Sequence, residues 1–170
     1  KVNDYVKFNS RFLVASSTGD FAGPLDTQND SDINPEVTLS HANFAFTGIK
    51  NTTITAGKQG LTTPWTVALD SDGNEQTGTG ILALSTVGPV TFAGAYFNQT
   101  NLDESGDLAG TLKTVMGKPT LGKNIGSLDI ATVGVIADLS PVTLDAWYLN
   151  MDQAFDTYTV GAKSDLAPTV

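Results

Sequence analysis

A two-residue alternation of apolar and polar side chains, recurring in segments of about ten residues, constrains this chain more than any other feature. Residues 4–16 carry it most plainly. Val6, Phe8, Phe12 and Val14 fall on one face of an extended strand, and Lys7, Asn9 and Arg11 on the other. Residues 36–47 repeat the pattern, with Ala42, Phe44 and Phe46 opposite His41 and Asn43. Further strands are predicted over 52–59, 79–87, 90–99, 129–139, 142–151 and 155–164. The whole is about eight antiparallel strands in an all-β chain.

The connections are ordered as well. Polar stretches at 17–35, about 60–79 and 100–128 alternate with tight turns at Gly48–Asn51, Gly88-Pro89 and Ser140-Pro141. Short turns on one side and long loops on the other are the habit of an up-and-down membrane barrel, whose tilted strands need about 9–11 residues. A β-sandwich mixes long and short connections. The expected fold is therefore a transmembrane antiparallel up-and-down β-barrel, residues 1–170 forming a portion of one domain. The alternative is a soluble or surface-exposed β-sandwich acting as an adhesin or binding module. Phe44, Phe46, Phe97, Trp147 and Tyr148 lie near strand ends, where a barrel carries its aromatic girdles and a sandwich its core.

Composition removes several function classes. The net charge of −9 leaves no basic footprint for nucleic acid. The chain has no cysteine, so disulfides, zinc-thiolate sites and thiol nucleophiles are absent. No Gly-x-Ser-x-Gly elbow accompanies the single histidine, His41, and Gly78-Thr79-Gly80 lacks the full dinucleotide fingerprint, so the chain is not expected to be an enzyme. No apolar run approaches the ~18 residues of a membrane helix.

The loop after Lys58 carries the candidate site. Asp70, Asp72 and Glu75 lie in a segment too long for a hairpin turn, and loops of that length are functional or disordered. Folded inward, they would face Lys7, Arg11 and Lys58 on the strands, with Lys163 further round. Acidic loop against basic wall makes a transverse field in a narrow opening. These residues are equally read as solvated strand charges and an exposed loop tip. Alternation from Ile54 and Ala56 puts Lys58 on the apolar face, so its place at the site requires a bulge at Gly57. Asp70, Asp72 and Glu75, with Gly73 between them, also offer oxygen ligands of the kind calcium takes, although an EF-hand is excluded because Ile81 stands where its last glutamate would be. Asp145 falls on the polar parity, within reach of a wall lysine, and His41 is expected to be an ordinary polar residue.

Ala56-Gly57-Lys58-Gln59, Trp65-Thr66 and Gly78-Thr79-Gly80 resemble the major outer membrane protein porins of Campylobacter and relatives. Residues Ile81 to Asn101, Val142 to Met151 and Phe155 to Lys163 are similar to that family too. The resemblance implies a bacterial outer-membrane porin, a barrel of about 18 strands of which this chain supplies about eight. It further implies homotrimers, passage of small hydrophilic solutes and ions, and a calcium ion near the constriction. Outer-membrane lipid would cover the barrel. Loops 17–35 and 100–128 would be surface antigens open to host ligands. The strands over 79–99, small or apolar on both faces, are a candidate subunit contact.

Overall fold

The computed structural model describes residues 1–16, 35–61, 63–69, 75–103 and 125–164. Eight strands are present: β1 (Val6–Ser16), β2 (Pro35–Phe46), β3 (Thr52–Gly60), β4 (Thr77–Val87), β5 (Val90–Thr100), β6 (Ile130–Asp138), β7 (Val142–Met151) and β8 (Phe155–Ser164). Each agrees to within two residues with the alternation in the sequence. All pair antiparallel with their chain neighbours in the order β1 to β8, the up-and-down arrangement that the connections predict.

The closed barrel does not follow. Among the described residues β1 pairs with β2 and β8 with β7, and the ladder ends there, leaving an open sheet. Closure would require a stagger that returns the last strand to the first, with an interior filled by side chains. On the concave side Trp147 and Asp145 lie over Gly134 and Gly161, so side chains fill it locally, but among the described residues no ladder returns β8 to β1. The expectation of a transmembrane porin barrel, of which this chain would be a portion of about eight strands, is corrected accordingly, since the described strands form an open sheet that encloses no lumen. No helix of the described residues is long and apolar enough to cross a membrane, which says nothing of strands.

The register sorts side chains into two faces. One row runs Phe8, Phe44, Ala56, Ile81, Tyr96 and Ala131 across β1 to β6. The next runs Phe46, Ile54, Ala83, Gly94, Val133, Tyr148 and Tyr158 across β2 to β8. This face is apolar and open, with Tyr158 81% and Val160 77% exposed. Phe8 and Phe44 meet on it with ring centroids 5.1 Å apart. At its loop end Tyr96 donates to Asp129 (2.7 Å) and Tyr148 to Asp156 (3.1 Å), so the polar tips of the aromatics are satisfied where the apolar band stops.

The opposite face is polar at β1–β3 and apolar at the loop end of β5–β7. There Leu61, Leu102, Ile125 and Leu128, all outside the strands, pack over Phe97, Ile130, Leu149 and Met151. A short 3-10 helix, Ile125–Ser127, delivers Ile125 to this cluster. The core is thus made by connecting segments folded onto one end of a single sheet, not by a second sheet. Two girdle expectations are corrected by it. Phe97 is 1% exposed inside the cluster, and Trp147 lies on the concave side, opposite Gly134.

Candidate functional site: a polar recess on the concave face

The site begins with an irregularity in the β1–β2 ladder. Arg11 pairs with His41 and Phe12 with Leu39, so Ser40 is an extra residue on β2. The extra residue switches the parity of β2, so His41 shares the face of Arg11 while Leu39 shares that of Phe12. Ser40 is 4% exposed, and its Oγ accepts from Arg11 Nε at 2.7 Å. The bulge therefore fixes the guanidinium, the only one in the chain, over the polar face.

Glu75 comes to it from far away in sequence. It stands two residues before β4, three strands from β1, or about 14 Å at the usual spacing. Its Oε1 nonetheless accepts from Arg11 Nη2. The approach to β4 must therefore lean across β2 and β3 on the concave side. The same oxygen lies 4.0 Å from His41 Nε2. Glu75 Oε2 is buried, with no hydrogen-bond partner among the described residues. The pair is part-exposed, with the arginine side chain 47% and the glutamate 19% accessible, so by itself it is worth about 1 kcal/mol or less.

Below it the strands hold amides. Asn9 Nδ2 donates to Asn43 Oδ1 (3.1 Å), and Asn43 Nδ2 donates to the Lys58 carbonyl (3.0 Å). Gln59, 6% exposed, donates to the Thr55 carbonyl at 3.2 Å. With Ser10, Arg11, His41, Gly60 and Leu82 these residues line an open recess of about 390 Å³. Burial lowers the His41 pKa below its ordinary value, Arg11 and Lys58 lower it further, and Glu75 opposes them. The imidazole is neutral at pH 7 and offers one donor and one acceptor.

The connection into β4 is built locally. Leu61 N–H donates to the Gln76 carbonyl (3.0 Å) and Val67 N–H to Gln76 Oε1 (2.9 Å). Thr66 Oγ1 donates to the Leu61 carbonyl (2.7 Å), rounding the Pro-Trp corner and leaving Trp65 against the core cluster. Asn101, at the end of β5, spans the other side. Its Nδ2 donates to the Glu75 carbonyl (2.7 Å) and its Oδ1 accepts from Thr77 N–H (2.7 Å).

The structure brings together Arg11 and Glu75 of the residues expected from sequence. Lys7 is on the same face but four residues away, about 13 Å along the strand. Lys58 pairs with Ala42 and Thr79, and the registers pass through Gly57 without a shift. The expected bulge lies elsewhere, at Ser40 and between Thr79 and Gly80. Asp70 and Asp72 lie outside the described residues. Of the three candidate calcium ligands only Glu75 is described. Among the described residues no three acidic, histidine or cysteine side chains cluster to hold a metal. His41, expected to be an ordinary polar residue, stands at the site, and Asn101 was not singled out by sequence reasoning. The alternation does place His41 on the face of Arg11, whereas no sequence signal marks Asn101.

No protein-family model and no characterised protein sequence matches the chain. Among solved structures, the crystal structure of Pseudomonas aeruginosa OccD3 (OpdP) is similar over 78% of this chain at 14% identity, with a TM-score of 0.57. The match covers 32% of that longer chain. At this identity the likeness shows the fold alone, an antiparallel strand architecture shared with part of that protein, with nothing specific to Campylobacter.

Proposed function

We propose that the chain is a non-catalytic, surface-exposed binding module of the bacterial outer membrane that takes small hydrophilic, zwitterionic solutes in the recess on its concave face. The observation that carries the reading is Glu75. Its Oε2 is a buried acceptor without a hydrogen-bond partner among the described residues, beside a guanidinium and a neutral imidazole. A buried acceptor left unmade costs about 1–3 kcal/mol, which a donor from a ligand would recover. An ammonium group supplies that donor, while Arg11 answers a carboxylate on the same molecule. The Asn9, Asn43 and Gln59 amides provide neutral contacts around it. The broad apolar face supports a place against outer-membrane lipid, as does the resemblance of residues 56–59 and 78–80 to Campylobacter major outer membrane proteins. The module is one open sheet, so the sandwich form of the binding-module reading is set aside.

Titration with glycine, with glycerol as the neutral control, tests this. Side-chain amide signals of Asn43 and Gln59 are expected to shift with glycine and not with glycerol. Arg11→Ala and Glu75→Gln should each weaken glycine binding about tenfold. Equal response to both solutes, or full binding by Glu75→Gln, would overturn the reading.

A further inference from the structure

The recess is held by a residue that does not line it. Asn101 closes a ring around the backbone of Glu75, Gln76 and Thr77, donating to one carbonyl and accepting from one N–H, both at 2.7 Å. A second tie, from Asn101 N–H to the Thr77 carbonyl (3.1 Å), joins the two chains at the same point. Beneath it Leu102 is 2% exposed in the core cluster, so the turn carrying Asn101 is itself fixed. Glu75 is thus gripped from behind through its main chain, while its carboxylate reaches forward to Arg11.

We propose that Asn101 is the positioning residue of the recess: by clamping the Glu75–Thr77 backbone to the end of β5, it sets the Glu75 carboxylate against Arg11 and His41. This rests on the recess being the binding site, and it adds a residue four strands and 90 positions from Arg11 to that site. The physical reason is the reach. A glutamate leaning over two intervening strands holds its contact only if its backbone cannot rotate, and a side-chain amide that both donates and accepts restrains both sides of Gln76. Alanine would release both bonds. Aspartate would keep the acceptor for Thr77 N–H and lose the donor to Glu75.

The test needs no solute, so its failure is distinguishable from failure of solute binding. Arg11 is the sole arginine, so the Nη2–H it donates to Glu75 is assigned without overlap in low-temperature nitrogen-15 spectra. In Asn101→Ala that proton should exchange with solvent about 3–10-fold faster, as it should in Glu75→Gln. Combining the two should add nothing beyond either alone, because both act through the same carboxylate. Asn101→Asp should give an intermediate rate, and it serves as the test if alanine perturbs the β6–β7 amide signals. An Arg11 Nη2–H unchanged by the Asn101 substitutions overturns the proposal. So do effects of Asn101→Ala and Glu75→Gln that multiply independently.

Discussion

Phe97→Ala is expected to lower stability by about 3–5 kcal/mol, as judged by denaturant unfolding followed through tryptophan fluorescence. Phe97 is 1% exposed and lies where two connecting segments converge, under Leu61 from one and Leu102 and Ile125 from the other. Its removal leaves a cavity that strand backbone on one side and loop side chains on the other cannot both close. Trp65 packs against the same cluster, so its emission should shift at lower denaturant than strand circular dichroism does. A loss under about 1 kcal/mol would mean that the cluster is not the core of this fold.

Gly80→Ala is expected to cost more than about 2 kcal/mol, while Gly94→Ala changes stability by about 0.5 kcal/mol or less. Both glycines sit in the β4–β5 ladder. A Cβ on Gly80 would meet Phe97 Cα at 2.7 Å and Phe97 Cδ1 at 2.9 Å, with the Tyr96 carbonyl oxygen pressed closer still. Backbone atoms held in a ladder cannot retreat as the end of a flexible side chain can. A Cβ on Gly94 meets nothing within 4 Å. Gly80 also borders the register shift after Thr79, where β4 and β5 come together irregularly. Thermal unfolding of the two variants side by side checks this, and equal midpoints would refute the close-approach argument.

The strands were legible because period two is written directly into residue order: Val6, Phe8 and Phe12 against Lys7, Asn9 and Arg11. The turns were legible for the same local reason, in Gly88-Pro89 and Ser140-Pro141. Closure was not. Whether β8 returns to β1 depends on stagger and on how much side-chain volume fills the concave side, and neither alters the alternation along a strand. The bulge at Ser40 left a trace, apolar positions running odd at Val37 and Leu39 and even at Ala42, Phe44 and Phe46, but only pairing with β1 shows which residue is extra. Of the site, Arg11 and Glu75 could be named from charge, and His41 could have been from parity. Their meeting depends on the chain leaning across two strands, and Asn101 enters through a backbone clamp that no residue spacing announces.

The nearest-neighbour order of the sheet has a kinetic side. Every strand docks on the one made just before it, so the sheet can assemble by successive hairpins, each paying a small loop-closure entropy. Arg11 and Glu75, 64 residues apart, are joined only after β2 and β3 lie between them. Their contact is expected to form late, after the folding transition state. Its loss should then quicken unfolding and leave the rate of folding nearly untouched.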